Sequence, residues 1–475
     1  MSQKSIILWF RQDLRLVDHP ALHFCLSLNR PIIPLFILDT HYARPLGGAS
    51  KWWLHQSLKT LNLDIEAMGG KLLLAKGGPH TILRQLIKEH RVDTVVWHRA
   101  YEPEVIQRDG MIKKSLKEDG VDCHSFNGRL LREPFEMETK SKTPYKVFTP
   151  FWKALREGLQ DMQPLEKPHI IPFGGKDIDG IRLEDLDLHP HDPDWSKGLH
   201  ETWDVGERAA HAQLDKFLDT VENYPTNRDR PDLDTTSHLS PYLYWGQLSP
   251  RQVIHRLWAH QTMHPNSATG CETLARELGW RDFFYHQLYH FPKLTKEPVN
   301  PLFSNLPWQN DPDNFEAWCK GLTGYPYLDA GMRQLWYTGW MHGRVRMAVA
   351  SFLIKHLQID WREGEAWFWD TLVDADMASN CSNWQWVAGS GADAAPYFRI
   401  FNPILQSQKF DPGGDYIRRW VPELRDCPTA FIHEPWKAPP SVRSAFGAGY
   451  PSPIISHEIG RRRALEVYAA LKSTH

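Results

Sequence analysis

Residues 323–403 read TGYPYLDAGMRQLWYTGWMHGRVRMAVASFLIKHLQIDWREGEAWFWDTLVDADMASNCSNWQWVAGSGADAAPYFRIFNP. Apolar residues recur at helical spacing over Tyr327–Leu335, Trp340–Leu357 and Arg362–Leu372, which predicts packed helices. Charges enter these helices where burial is expected. Arg344 and Arg346 interrupt an otherwise apolar run, and Asp374 and Asp376 follow soon after. A buried arginine needs a carboxylate partner, so a structural ion pair is one reading. A D-x-D metal site is the other, although no further acidic or histidine ligand lies close in sequence.

The helical pattern extends upstream through Glu207–Asp219, Pro250–Gln261 and Cys271–His290, and downstream to Glu458–Leu471. In Cys271–His290, Glu277, Trp280, Arg281 and Phe284 fall on one helix face. That face is either an amphipathic surface with a Glu277–Arg281 pair or a wall that accepts from base N–H groups and stacks on them. Tyr224–Arg251 clusters Thr and Ser ahead of a helix, as a phosphate cradle or as a plain helix cap.

Residues 1–126 follow a different rule. Strand-like runs at Ser5–Phe10, Pro31–Leu38, Lys71–Ala75, Asp93–Trp97 and Asp122–Phe126 alternate with helical patterns at Trp52–Leu63, His80–His90 and Glu104–Glu118. This alternation predicts a parallel, doubly wound sheet covered by helices, with ligands at the carboxyl ends of its strands. No G-x-G-x-x-G or P-loop accompanies it. Residues 127–195 are rich in Pro, Gly, Asp and Lys and read as a long surface connector. The expected division is an α/β domain over 1–130, a connector over 131–199 and an all-helical domain over 200–475.

Composition narrows the function classes. A net charge of −2 excludes a protein that coats nucleic acid, so any DNA must meet a local basic patch. No run of about 18 uncharged apolar residues predicts a membrane span. The opening apolar run meets Arg11 and Asp13 at once, which reads as a buried strand and not as a signal peptide. Cys25, Cys123, Cys271, Cys319, Cys381 and Cys427 are scattered without a C-x-x-C pair, against zinc, iron–sulfur or disulfide frameworks. A cytoplasmic location is the default. The 21 tryptophans suit core packing, base stacking or electron relay, and position must decide among them.

Taken together, WFRQDLRLVDHPAL (9–22), TTSHLSPYLYWGQLSPR (235–251), RELGWRDFF (276–284), TGYPYLDAGMRQL (323–335), TGWMHGRVRM (338–347), IDWREGE (359–365) and SNWQWVAGSGADAAPYFRIFNP (382–403) resemble the photolyase/cryptochrome family, in the same order. The resemblance covers roughly residues 5–425. With the FTPFW segment at 148–152, it is nearest to bacterial class I or class III photolyases of cyclobutane pyrimidine dimers.

The resemblance implies an α/β domain, a helical domain holding FAD in its reduced FADH⁻ form, and light-driven electron donation to a flipped-out dimer. It places Tyr224, Thr236, Ser237, Leu239 and Ser240 on the FAD phosphates, with His238 where the family often has arginine. Arg346 and Asp374 match the pair beside the isoalloxazine, Asp376 the residue facing the flavin's pyrimidine edge, and Asn380 the position next to flavin N5. Plant cryptochromes carry Asp at that last position and insect cryptochromes Cys. Trp384, Trp361 and Trp308 match the electron-transfer triad. Glu277, Trp280, Arg344, Met347 and Trp386 match the lesion pocket, and Arg228, Arg399 and Lys409 are candidates for DNA phosphates. Gly343 stands where dimer photolyases usually carry asparagine. An antenna pigment, a methenyl-folate or a deazaflavin, is expected in the N-terminal domain, with Asp39, Lys51, Trp52, Tyr101 and Glu102 as candidate ligands. No metal is expected, and the protein is expected to act on damaged DNA as a monomer. The alternative within the family is a blue-light-sensing cryptochrome without repair.

Overall fold

A computed structural model describes residues 4–41, 44–446 and 449–473. Five strands, β1 (Ser5–Phe10), β2 (Ile32–Asp39), β3 (Leu73–Gly77), β4 (Val92–His98) and β5 (Asp122–Phe126), form one parallel sheet in the order β3-β2-β1-β4-β5. The near-continuous apolar character of β1 and β2 follows from burial on both faces. Ile7, Trp9, Leu35, Val95 and Trp97 lie in one core cluster. Pro34 in β2 pairs with Leu8 of β1 but stands one residue before the β3 ladder begins at Leu35. A residue without an N–H is tolerable at that end of the strand.

The chain forms two compact units that are not contiguous in sequence. The first comprises Met1–Ser196, Trp203–Glu222 and Ser237–Pro292, and the second Lys197–Thr202, Asn223–Thr236 and Lys293–His475. The units therefore cut across the linear division at residues 130 and 199. Within the first unit, the Ala268–His290 helix fastens the segment expected to be a surface connector. Leu131 and Arg132 donate their backbone N–H groups to Asp282 at 2.7 and 3.2 Å, and Tyr145 donates to His286 at 3.0 Å. Burial pushes the Asp282 carboxyl up to about 7. Phe148, Phe151 and Leu155 of the Phe148–Arg156 helix are buried as well.

At the carboxyl ends of β1 and β4, Asp13 receives the Arg11 N–H at 2.5 Å, while His98 Nδ1 and His19 Nε2 lie 2.8 and 3.3 Å from its other oxygen. All three side chains are buried, and their ligand atoms lie within 4.8 Å of one another. That spacing would suit a metal, but the outer ring nitrogens decide otherwise. His19 Nδ1 accepts the Leu22 N–H and His98 Nε2 accepts the Ala21 N–H. The inner nitrogens of the neutral rings therefore carry the protons and lie beside the Asp13 carboxylate. Burial acts to raise the Asp13 carboxyl, but the neighbouring His19 and His98 outweigh it and hold it well below its ordinary range. Burial, reinforced by its neighbour His19, pushes His98 down to about 3.

Both shifts act in the same direction on stability. An unfolded chain protonates His98 below its ordinary 6.5, and the folded chain does not, so stability falls as pH drops through that window. Urea midpoints are expected to report a loss of about 2–3 kcal/mol between pH 7 and pH 4.5 from His98 alone. The slope should flatten in His98→Asn, and an unchanged slope in that variant would contradict the assignment.

The second unit is helical. The pattern expected as one helix over Trp340–Leu357 is a Gly343–Ser351 helix followed by a wider π-turn at Phe352–His356. It starts late because Gly339, at φ 66°, ends the preceding Pro326–Thr338 helix and His342 caps the next one. Gly364, in the Trp361–Thr371 helix, carries no side chain because a Cβ there would meet the Trp384 ring at 2.2 Å.

Candidate functional site

In the second unit, Arg346 is held from two sides. Its Nε donates to the Met341 carbonyl at 2.8 Å, and its Nη2 donates to both oxygens of Asp374 at 3.2 and 3.0 Å. Its Nη1 has no partner among the described residues. Asp376 opens the Met377–Ala388 helix by accepting the Ser379 N–H at 2.8 Å. One carboxylate neutralises an arginine and the other caps a helix, so the ion-pair reading replaces the D-x-D metal reading.

Asn380, on the first turn of that helix, donates its amide N–H groups to the Glu365 backbone carbonyl at 3.0 Å and to Glu365 Oε1 at 2.6 Å. Cys381 Sγ approaches the same carboxylate oxygen at 3.5 Å. Glu365 is buried. With both N–H groups committed, Asn380 presents its carbonyl oxygen, an acceptor.

Arg344 donates Nη2 to Asp229 at 2.6 Å, and its guanidinium lies 4.7 Å from the Phe410 ring centroid. Its Nη1 reaches only Met347 Sδ, at 3.9 Å. Trp386 is half-buried, with no ring partner among the described residues. Arg399 and Lys409 are exposed, and Arg228 lies over the Tyr224 ring at 5.5 Å. Tyr224 is buried and Thr236 half-buried.

Trp384 and Trp361 are buried, and Trp308 is half-buried against the Phe303, Leu306, Tyr397, Ala464 and Leu471 cluster. Trp384 and Trp361 are equally buried, each 2% exposed, and of the three only Trp308 is partly exposed. Among the described residues, the rings beside Trp384 are Phe368 at 5.1 Å and Trp318 at 6.2 Å, and no ring contact joins it to Trp361 or joins Trp361 to Trp308.

In the first unit, Trp280 lies face to face with Phe148, with ring centroids 3.6 Å apart and planes 8° from parallel. One face of the indole is therefore covered and held. Glu277 is half-buried. Arg281 does not serve the exposed face: it donates to the Arg129 carbonyl at 2.7 Å and holds the loop there. Ser237 receives Gln213 Nε2 on its carbonyl, and His238 adopts a left-handed conformation at φ 51°. Ser240 begins a short helix, Ser240–Tyr244, without a side-chain cap. The Ser cap expected in this stretch occurs one helix later, where Ser249 and Gln252 form a capping box on Pro250–Met263.

The antenna candidates are mostly committed elsewhere. Trp52 is fully buried, Tyr101 donates its hydroxyl to Glu133 at 2.8 Å, and Glu102 lies 3.5 Å from Arg129. Asp39, at the end of β2, pairs with Arg108, and Lys51 is half-buried. Trp52, Tyr101 and Glu102 are thus interior residues.

Four residues with clear local roles escaped the sequence reading: Glu365, Asp229, Phe148 and Trp318. Glu365 and Phe148 stand in quoted motifs, but nothing in a motif says which side chain they meet. Among the described residues, no helix is long and apolar enough to cross a membrane.

Comparison with known proteins gives one answer along the whole chain. The family described as "DNA photolyase" matches residues 6–169, and that described as "FAD binding domain of DNA photolyase" matches residues 273–470. The deoxyribodipyrimidine photo-lyase of Agrobacterium fabrum is 48% identical over 100% of both chains. Cryptochrome-1 of Arabidopsis thaliana is 35% identical over 98% of this chain and 70% of its own. The crystal structure of a bacterial class III photolyase from Agrobacterium tumefaciens superposes with a TM-score of 0.96 at 47% identity, covering 100% of this chain and 98% of that one. Two family matches, full-length identity and a shared backbone agree: the chain belongs to the DNA photolyase family.

Proposed function

We propose that the protein binds DNA carrying a cyclobutane pyrimidine dimer and splits the dimer with blue light. The observation that carries this reading is the Asn380–Glu365 pair. An amide whose N–H groups are both taken offers only an acceptor, which fits the N5–H of a reduced flavin. An amide also cannot protonate the cofactor as an aspartic acid could. Bound FAD in its reduced anionic form supplies the light-driven electron donor.

The remaining work belongs to the chain. Arg346, neutralised on one side by Asp374, offers Nη1 to an electron-rich ring. Tyr224, Thr236, Ser237, His238, Leu239 and Ser240 hold the phosphates, and Asp376 faces the pyrimidine edge. In the first unit, Glu277 accepts from pyrimidine N–H groups and Trp280 offers a face for stacking; in the second, Trp386, Arg344 and Met347 serve the lesion. Photolyases are established base-flipping enzymes, and a dimer leaves the stack at lower cost than paired bases. Arg228, Arg399 and Lys409 meet phosphates without reading sequence. Trp308, Trp361 and Trp384 carry electrons inward from the surface. Residues 1–130 form the antenna-type domain and 200–475 the FAD- and DNA-binding domain of a monomer. The kinship with a plant cryptochrome keeps light sensing as a second reading, but Asn380 and Met347 favour repair.

Purified protein is expected to show flavin absorbance bands and, in the dark, to bind a dimer-containing oligonucleotide more tightly than its undamaged counterpart. Equal affinity for both would contradict the reading. Gly343 gives a finer test. A Cβ at this exposed position would meet nothing within 4 Å, so Gly343→Asn fits without strain. Adding one amide contact is expected to tighten dimer binding by about 0.5–1.5 kcal/mol, roughly two- to tenfold. Unchanged affinity in a dark titration would show that Gly343 costs the enzyme no lesion contact.

A further inference from the structure

We infer that Asp229 is a positioning residue for Arg344, aiming its guanidinium at an oxygen acceptor of the damaged dinucleotide. This rests on the proposed role of Arg344 at the lesion.

The Arg344 head is fixed but incompletely satisfied. Asp229 takes one N–H, on Nη2, and Phe410 covers the guanidinium plane. Nη1 meets only the weakly accepting Met347 sulfur. Nε is buried and has no hydrogen-bond partner. Arginines with structural roles commonly pair bidentately with their carboxylate, and most buried donors are met. This one is held by a single hydrogen bond, with two donor nitrogens still to be used. An unmet buried donor is costly, and a phosphate or carbonyl oxygen brought against it removes that cost.

Asp229 stands on a stiff base. The Arg228 N–H bonds to the Tyr224 carbonyl and the Arg230 N–H to the Asn227 carbonyl, each at 2.9 Å. Thr235 Oγ1 bonds to the same Asn227 carbonyl at 3.3 Å. Arg230 pairs with Asp232, which leaves Asp229 to Arg344. The preceding residue, Gly343, has no side chain to compete for the acceptor. The carboxylate therefore sets both the direction and the rotamer of Arg344 before any ligand arrives.

The test is a double-mutant cycle on the flavin-loaded protein: Asp229→Ala, Arg344→Ala and both together, with dark binding to dimer-containing and undamaged oligonucleotides. Flavin content and thermal midpoint serve as controls for folding. Asp229→Ala is expected to weaken dimer binding about tenfold in the parent and less than about twofold in the Arg344→Ala background. Asp229→Asn, nearly isosteric, carries the same test if the alanine variant folds poorly, with a smaller loss expected.

The salt dependence identifies the acceptor. A log–log slope lowered by about one in both single variants marks a phosphate. An unchanged slope with lost preference for damaged DNA marks a base carbonyl. Either result supports the inference. Equal losses in both backgrounds, or no loss on changing Asp229 while Arg344→Ala weakens binding, would overturn the inference alone. Dimer binding unaffected by Arg344→Ala would overturn the underlying role of Arg344 as well.

Discussion

Replacing Asp374 with alanine is expected to strip the purified protein of its flavin. Asp374 is buried and accepts Arg346 Nη2 on both oxygens. Without it the guanidinium keeps a single anchor, the Met341 carbonyl, and a positive charge stands partly desolvated and uncompensated. Removing one partner of a buried pair costs about 3–5 kcal/mol. Arg346 retains some exposure, at 27% of its side chain, which sets the loss near the lower end, about 3 kcal/mol. If that loss falls on cofactor affinity, it is roughly a hundredfold weakening. The ratio of flavin absorbance to protein absorbance after purification checks it, with the far-ultraviolet spectrum confirming that the helices persist. Asp374→Asn, which keeps an acceptor oxygen, should lose less. A full flavin complement in Asp374→Ala would show that the pair serves packing and not the cofactor.

Trp384→Phe is expected to abolish light-driven reduction of the bound flavin while leaving repair by chemically reduced protein near its parental level. Trp384 is one of the two fully interior residues of the three proposed for the relay. It packs edge-on against Phe368 and Trp318 and fills the notch left by Gly364. Phenylalanine preserves most of that packing but is far harder to oxidise than an indole, so the first electron transfer step is lost. The rate of flavin bleaching under blue light with an external reductant should fall by orders of magnitude. Because no ring contact joins the three tryptophans, the buried Trp318 beside Trp384 is a natural control. Trp318→Phe should leave photoreduction near parental. If Trp318→Phe abolishes it and Trp384→Phe does not, the path runs through the other tryptophan.

The parts of the fold visible in the sequence are those governed by local periodicity. β1 and β5 lie at the expected Ser5–Phe10 and Asp122–Phe126, because apolar runs bounded by polar residues mark buried parallel strands without ambiguity. The helix boundary missed at Trp340 was set by the left-handed Gly339 and by a histidine cap. Histidine is seldom a cap, so residue type alone did not reveal it. The connector over 127–195 read as surface because of its Pro and Gly, yet Phe148 and Phe151 are buried. Loop-like composition hides anchors that only a distant helix can engage.

The site shows the same division. That Arg346 requires a carboxylate was legible from its apolar surroundings. Which carboxylate it meets came from the family pattern. Asp229, 115 residues from Arg344 in sequence, was invisible to both kinds of reasoning, as was the stacking of Phe148 on Trp280. Periodicity says that a face is buried but not what covers it. The exposed face of the Ala268–His290 helix suggested a Glu277–Arg281 pair, but a backbone carbonyl at Arg129 claims Arg281 instead.

Light-dependent repair is tested by blue-light illumination of the purified, chemically reduced protein with an oligonucleotide carrying one thymine dimer. Restoration of two intact thymines under light, with none in the dark, is the predicted result. A flavin-loaded protein that binds the dimer yet leaves it intact through prolonged illumination would contradict the account and favour a light sensor.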